Sequence, residues 1–420
     1  MKKNELKKKV LRFRWEWWAE RPFGAFILSL FKEGQTRSYM QKIGVDAQWP
    51  AMLFQNGCWY KSEEVWDLFE NQLTGYLSDG GSVFQITRGC ELYGEHSKKQ
   101  IQKLIKADMT PRKKLQELHN VLALDIAFVW VTHGLEHLYK KRLYNEIPKY
   151  FSGDVEKFIG DASIPAKKNA HYYLEKSLRS KQSLKSVQRR FGWIKARDGF
   201  SDPYTIQELA AERKRLIVAD PAHIRRIKVP EELKPLVDIT KELVYLRTLR
   251  TDLLYELLFI SRPILKEIAN VYGIPFKELR DYSIHDLISA KPRKYPKQVT
   301  AISFGKNFFF FDAPILKGDI ESIKDLNQLS GTIANRGIAI GKAKIVKTAY
   351  EISKVNRGDI LLAPTTAPSY IIGMKKAAAF VTDEGGLPLM QRLSLEKRGN
   401  RASSEPSTQH ISLRTATLSK

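Results

Sequence analysis

The chain has 420 residues, of which 43% are hydrophobic and 28% are charged, a composition typical of a soluble globular protein of two or three domains. The apolar run at residues 22–31 is about half as long as a membrane span, so we expect neither a signal peptide nor a transmembrane helix. Cys58 and Cys90 are too few for a disulfide framework or a four-ligand metal site, which favours a cytoplasmic location. The net charge of +24 permits an acidic partner, but the basic residues are scattered along the chain.

Residues 1–95 are predicted to form a basic region that is rich in aromatic side chains. Arginines interleave with the first three tryptophans of this region, and such a pattern can stack on nucleic-acid bases. More often it is the packing face of a helix, with arginine stems lying over the rings. Nucleic-acid binding is therefore the alternative function and not the favoured one. The residues concerned are Arg12, Arg14, Arg21, Trp15, Trp17, Trp18, Trp49, Trp59 and Trp66.

Residues 96–295 are predicted to form a mostly helical region. Apolar spacing favours helices over residues 98–107 and 111–139. Thr110 suits the N-cap of the second helix, and Pro111 suits its first turn. A further helix is predicted over residues 62–77, which precede this region.

The second half of the helical region should contain a single long helix. A break is expected at Pro230 and Pro235. Apolar residues then recur at spacings of three and four, which predicts one helix over residues 236–271. We expect Pro263 to kink this helix and Gly273 to end it. A short helix at residues 275–282 should follow.

Two groups of residues in the helical region could in principle bind a metal. His133, Glu136 and His137 match the H-x-x-E-H pattern of inverted zinc peptidases, in which both histidines share one helix face. Asp252 and Glu256 are four residues apart on the long helix and also share a face. Partly buried helix residues explain the first group more simply, and a solvated face explains the second. We therefore predict no metal site.

After residue 300 the apolar pattern changes from that of helices to that of strands. Residues 299–304 and 308–311 flank Gly305-Lys306-Asn307, which predicts a hairpin. A glycine-rich β region follows from residue 325. Its predicted strands are residues 342–346, 360–363 and 380–382, with a short helix over residues 368–379.

Residues 325–387 carry the chemically informative pattern. Glycines mark tight turns or close backbone approaches around the strands; they are Gly331, Gly337, Gly341 and Gly358. Thr366 offers a hydroxyl just after the strand 360–363. The strand 380–382 runs into Asp383-Glu384-Gly385-Gly386, a loop that can present backbone N–H groups to an anion.

The order and spacing of these residues resemble the mobile, phosphohistidine-bearing domain of pyruvate phosphate dikinase, phosphoenolpyruvate synthase and their relatives. The resemblance implies that residues 325–387 form an incomplete swivelling β/β/α domain. Together with the mostly helical N-terminal region predicted from the apolar spacing, this gives an α+β chain. The resemblance also implies that Thr366, Thr382, Glu384, Gly385 and Gly386 surround the transferred phosphate.

The family's phosphate-carrying histidine is missing from this chain. In the family, a Ser-His-Ala-Ala type sequence follows the Gly-Gly pair, whereas Leu387 is followed here by Pro-Leu-Met-Gln-Arg. If the reading frame is shifted by one nucleotide, these five codons can be read as Ser-His-Ala-Ala-Ile, and the histidine codon straddles Leu389 and Met390. We therefore interpret residues 388–420 as a frame-shifted, disordered tail, and we expect no intact catalytic residue.

The resemblance also implies partners. ATP or phosphoenolpyruvate and Mg²⁺ would act through other domains, since the chain has no P-loop and too few residues for an additional barrel domain. The favoured function is thus a phosphotransfer component that is inactive as written. ATP-binding and acceptor domains would be supplied by another chain, and no membrane would be involved.

Overall fold

The computed structural model describes residues 1–21, 23–76, 81–153, 155–180, 182–196, 198–218, 228–296, 299–316, 328–329, 338–346, 354–363, 376–382 and 411–412. The chain divides into two compact units. The first contains residues 1–152, 165–218 and 229–317, and the second contains residues 153–164, 219–228 and 318–420. The predicted boundary at residue 95 falls inside a helix of the first unit. The α+β class with a mostly helical N-terminal region is confirmed.

Helices and strands of the first unit, in chain order, are α1 (Lys3–Val10), β1 (Glu16–Glu20), α2 (Ala25–Gly34), α3 (Arg37–Lys42), β2 (Ala51–Gln55), β3 (Cys58–Lys61), α4 (Glu63–Leu73), α5 (Gly81–Lys106) and α6 (Pro111–Tyr150). After α7 (Val155–Ala162) of the second unit come α8 (Ala170–Arg179), α9 (Leu184–Phe191), α10 (Ile206–Val218), α11 (Lys234–Ile260), α12 (Arg262–Tyr272), α13 (Ile284–Ile288), β4 (Thr300–Phe304) and β5 (Asn307–Phe311).

Helix α6 is the centre of the first unit. It packs against α2, α5, α11 and α12. By length and composition it could cross a membrane, but 83% of its apolar window is buried inside the protein. The Thr110 side chain accepts a hydrogen bond from the Lys113 amide, which confirms the predicted N-cap.

The long helices differ from the predicted ones at their ends. Helix α5 begins well before residue 98, because packing against α11 outweighs the low helix propensity of its glycines. The predicted single helix over residues 236–271 is wrong, since α11 and α12 meet at Ser261. Pro263 lies in the first turn of α12, where its missing N–H costs no hydrogen bond. Gly273 ends α12 in the left-handed conformation with φ +62°, as predicted.

A five-stranded antiparallel sheet joins the two ends of the first unit. Its strand order is β1-β3-β2-β4-β5, and Leu53 of the central strand faces Tyr60 on one side and Ile302 on the other. The predicted hairpin over β4 and β5 is confirmed, with Gly305 in its turn at φ +56°. Helix α1 covers the sheet by packing Leu6 and Val10 onto Leu53 and Ile302.

Tryptophans of the first 80 residues help to join this sheet to the helices. Trp130 of α6 stacks on Trp49 with 4.3 Å between ring centroids. It also meets Phe31 of α2 and Trp59 of β3 edge-on, at 5.4 and 5.8 Å. Trp49, Trp59 and Trp66 are all buried, so these three rings pack inside the protein. Nucleic-acid binding by the region stays a prediction.

The second unit contains short strands after residue 317. They are β6 (Gln328–Leu329), β7 (Ala343–Ile345), β8 (Ile360–Ala363), β9 (Ala379–Thr382) and β10 (Ile411–Ser412). Strands β7, β8 and β9 form a parallel sheet in that order. Strand β10 pairs antiparallel with β6, so two residues of the predicted tail contribute to a strand pair.

Candidate functional site

The parallel sheet brings together the ends of two strands that precede the predicted phosphate loops. Ala363 of β8 lies opposite Thr382 of β9, and both are the last residues of their strands. Because the strands are parallel, both end at the same edge of the sheet. In open parallel sheets this carboxyl edge is where ligands bind.

Two of the predicted structural glycines lie against each other at the opposite edge. A Cβ atom on Gly341 would lie 2.0 Å from the carbonyl oxygen of Gly358, so only glycine fits there. Gly358 has φ +90°, a conformation that side chains with a Cβ rarely adopt. The Ile360 amide donates to the Lys342 carbonyl at 2.8 Å, which starts the pairing of β7 with β8.

A small apolar core supports this sheet. Leu361 and Ala363 of β8 pack with Val346, Val355 and Ala377, and the partly buried Phe380 lies against them. The turn before β8 is closed by Asp359, which accepts a hydrogen bond from the Asn356 amide at 2.8 Å. Strand β7 and the residues before it are less covered: Ile338, Ile340 and Ile345 are 85%, 93% and 57% exposed.

The structure places only part of the predicted site. Thr382, Gly341 and Gly358 are described as above. Thr366 and the positions Leu389 and Met390 lie outside the described residues, as do Glu384, Gly385, Gly386, Gly331, Gly337 and most of the predicted helix over residues 368–379.

The H-x-x-E-H residues of α6 each bind a different partner. His133 Nε2 accepts a hydrogen bond from Arg250 Nη2 at 3.2 Å, and an arginine can only donate, so this nitrogen has no lone pair left for zinc. Glu136 forms an ion pair with Arg247 at 3.1 Å. His137 Nδ1 contacts Glu70 instead. These are packing and ion-pair roles, in line with the simpler interpretation of the motif.

The carboxylates of α11 are also separately engaged. Glu256 forms an ion pair with Lys98 at 2.8 Å. Asp252 accepts a hydrogen bond from the Ala170 amide at 3.3 Å. They join α11 to two neighbouring segments and do not share a ligand position with one another.

Buried charge lies between α6 and α11. Asp125 is fully buried, and neither of its carboxylate oxygens has a hydrogen-bond partner among the described residues. Burial raises the pKa of Asp125 well above its usual value, an effect that the nearby Arg250 partly opposes. Burial also lowers the pKa of Arg250 to about 10. The two helices thus enclose a carboxyl group that favours its protonated form.

Replacing Asp125 with asparagine should change how stability depends on pH. The folded protein holds the Asp125 proton more tightly than the unfolded chain does. The free energy of unfolding of the wild type therefore falls as the pH rises above 3.8, the unperturbed pKa of this aspartate. Asparagine has no such proton. We therefore expect Asp125→Asn to gain thermal stability relative to wild type between pH 4.5 and about 7. Thermal unfolding measured by circular dichroism across this range tests it.

Asp46 provides the matched control. Hydrogen bonds from Arg37 and Gln41 lower the pKa of this exposed carboxyl, so Asp46 stays ionised from pH 5 upward. The difference between Asp46→Asn and wild type should therefore be flat from pH 5 to about 7. A flat or falling difference for Asp125→Asn would contradict the buried-acid interpretation.

A third group of polar residues has no counterpart in the sequence motifs. Glu33 of α2, His119 of α6 and His285 of α13 bring one potential ligand atom each to within 4.8 Å of one another. The three residues come from three separate helices, so no local spacing could have indicated them. Only the packing of α2 and α13 against α6 brings them together.

Part of the C-terminal region of the chain is similar to known proteins. Residues 355–388 match the family model "PEP-utilising enzyme, mobile domain". This segment contains β8 and β9, so it includes the carboxyl edge described above. The predicted resemblance to the phosphohistidine domains of phosphoenolpyruvate-utilising enzymes is confirmed.

Curated relatives also match this chain over a short stretch. A probable phosphoenolpyruvate synthase of Archaeoglobus fulgidus is 52% identical over 59 residues, which is 14% of this chain and 8% of the relative. A second one, of Methanocaldococcus jannaschii, is 47% identical over 75 residues, 18% of this chain and 6% of the relative. The uncharacterized phosphotransferase YvkC of Bacillus subtilis is 38% identical over 61 residues, which is 14% of this chain and 7% of the relative. The chain thus aligns with less than a tenth of each of these relatives.

Proposed function

We propose that this chain is a phosphotransfer component whose C-terminal unit corresponds to the mobile domain of phosphoenolpyruvate synthase, and that it cannot carry phosphate as written. The observation that carries the proposal is the pairing of Ala363 with Thr382 at the carboxyl edge of the parallel sheet. Both loops that the family uses around its phosphohistidine begin directly after these two residues.

The chain length between the sheet and the loop residues limits how far the site can spread. Thr366 is three residues after Ala363, and Glu384 is two residues after Thr382. A fully extended chain covers at most about 3.6 Å per residue, so both Cα atoms lie within about 11 Å of the paired strand ends. Hydroxyl and backbone N–H groups at that distance can surround one phosphate group.

Histidine suits this role because its pKa is about 6.5 and its phosphorylated form transfers phosphate readily in both directions. In this chain Pro388-Leu389-Met390 follows the loop instead of the family's Ser-His-Ala. The simplest cause is the loss of one nucleotide near the codon of Leu387. Sequencing the gene across this codon tests whether a nucleotide was lost. The hypothesis would be contradicted if the DNA encodes residues 387–392 as given and the shifted frame does not encode Ser-His-Ala-Ala.

The proposed activity needs partners. The family resemblance assigns phosphoryl donation to ATP or phosphoenolpyruvate with Mg²⁺, held by other domains. We propose that those domains act in trans on a frame-restored chain. A neighbouring gene for an ATP-binding domain would support this arrangement.

The decisive experiment compares two purified proteins. One is the chain as written, and the other has a single nucleotide inserted between the codons of Leu387 and Pro388. Each is incubated with labelled ATP or phosphoenolpyruvate plus a lysate of the source organism. We expect acid-labile, base-stable label on the restored protein alone, since this stability is typical of phosphohistidine. Replacing the restored histidine with asparagine should abolish it, and label on neither protein would contradict the proposal.

A further inference from the structure

Three helices of the first unit bring together side chains of the types that can coordinate a metal ion. His285 Nε2 lies 3.7 Å from Glu33 Oε1. The rings of His119 and His285 meet edge-on with 4.8 Å between centroids. Two imidazoles and one carboxylate are a ligand set that zinc uses in proteins, with a fourth position left open.

His119 is the strongest sign that this group serves a ligand. Its side chain is only 4% exposed, yet neither ring nitrogen makes a hydrogen bond of good geometry to the described residues, and only the Asn120 side chain comes near the ring as a polar neighbour. Nε2 of His285, the nitrogen that faces Glu33, is also buried and has no hydrogen-bond partner among the described residues. Unpartnered buried polar atoms are costly, so their presence at one point requires an explanation.

The backbone around the group is held in place by close packing. A Cβ atom on Gly34 would lie 2.4 Å from Ile126 Cβ and 2.6 Å from the Ala123 carbonyl oxygen, so glycine lets the end of α2 contact α6. Ser29 Oγ accepts a hydrogen bond from the Ile284 amide at 3.1 Å, which ties α13 to α2. The elements carrying Glu33, His119 and His285 are thus tied together by contacts outside the group itself.

We propose that Glu33, His119 and His285 bind a divalent transition-metal ion of the zinc type. Two ligands at about 2.1 Å from a tetrahedral ion lie about 3.4 Å apart, close to the separation found between His285 and Glu33. The separations of up to 4.8 Å within the group require only small side-chain rotations to close on an ion. Glu33 and His285 are partly exposed, which gives the ion a path from solvent.

Charge in the surroundings both favours and opposes binding. The Glu33 carboxylate favours a cation, and a neutral imidazole is the form of His119 and His285 that coordinates one. Lys32 opposes the ion, since its Nζ lies 3.6 Å from Glu33 Oε1 and its charge acts on both rings. Removing that charge should therefore strengthen binding.

The test measures Zn²⁺ binding to the full chain, purified without a histidine tag and freed of metal by a chelator. Competition with a chromophoric chelator gives the affinity, and thermal unfolding gives an independent readout, because a bound ion raises the melting temperature. Co²⁺ in place of Zn²⁺ reports the coordination by its visible absorption. We expect one bound ion per chain.

Four variants separate this site from nonspecific binding. His285→Gln and Glu33→Gln should each weaken Zn²⁺ binding at least 10-fold, since even residues that only support a ligand contribute 10- to 100-fold. Lys32→Gln should strengthen it. His96→Gln is the matched control, because His96 is exposed on α5, and it should leave the affinity unchanged.

The outcomes decide the proposal in every case. If circular dichroism shows that His285→Gln is unfolded, the Glu33→Gln and Lys32→Gln variants test the proposal instead, because both residues are only partly exposed. The proposal then requires that Glu33→Gln weakens Zn²⁺ binding and Lys32→Gln strengthens it. Absence of Zn²⁺ binding, or equal affinity in wild type and all four variants, would overturn it.

Discussion

Gly34→Ala is expected to lower the free energy of unfolding by about 2–3 kcal/mol. The added methyl group would overlap Ile126 Cβ and the Ala123 carbonyl oxygen, and a backbone oxygen cannot rotate away. Helix α2 would have to move off α6, at the end that carries Glu33. The gain in helix propensity from glycine to alanine, about 1 kcal/mol, offsets only part of this cost. Urea unfolding followed by circular dichroism measures the change.

Gly89→Ala is the control for this substitution. Gly89 lies inside α5, and a Cβ atom there would meet nothing within 4 Å. We therefore expect a gain of up to about 1 kcal/mol from helix propensity alone. Equal effects of the two substitutions would show that the contact between α2 and α6 is not as tight as described.

Among truncations of single aromatic residues, Trp130→Ala should destabilise the protein most. We expect it to lower the free energy of unfolding by about 3–5 kcal/mol. The Trp130 ring contacts Trp49, Phe31 and Trp59, so its removal leaves a cavity where the sheet meets the helices. Since Nε1 of Trp130 has no hydrogen-bond partner among the described residues, Trp130→Phe loses volume only and should cost less. Urea unfolding of both variants tests the order.

Trp17→Ala is the matched truncation outside the core. Trp17 is 47% exposed on β1, at the edge of the antiparallel sheet. We expect a loss below about 1 kcal/mol, as for most surface substitutions. A loss as large as that of Trp130→Ala would mean that the exposed rim of the region, and not only its buried rings, stabilises the fold.

Local patterns in the sequence predicted the parts of the fold that depend on local chemistry. The Thr110 N-cap, the end of α12 at Gly273 and the hairpin of β4 and β5 each depend on a few neighbouring residues. The strands that precede the predicted phosphate loops also followed from short apolar runs bounded by turns. Because the apolar spacing continues through Ser261, the sequence predicted only a kink at Pro263 where the structure has a break between α11 and α12.

The remaining features depend on contacts between distant parts of the chain. Nothing near β2 indicates that β4, about 250 residues further along the chain, pairs with it. Asp125 sits in a regular helix and looks like an ordinary polar position until α11 covers it. Likewise Glu33, His119 and His285 have no shared motif, so only the packing of three helices reveals them.

The exposed isoleucines of the second unit affect how quickly the chain is degraded in a cell. Within the described three-stranded sheet, β7 is an edge strand, so one side of its backbone has no strand partner there. The exposed side chains of Ile338, Ile340 and Ile345 form an apolar surface on β7 and the residues just before it. Such an edge accepts strands from other molecules and is bound by chaperones and proteases. We expect turnover to keep the amount of this chain in the cell low.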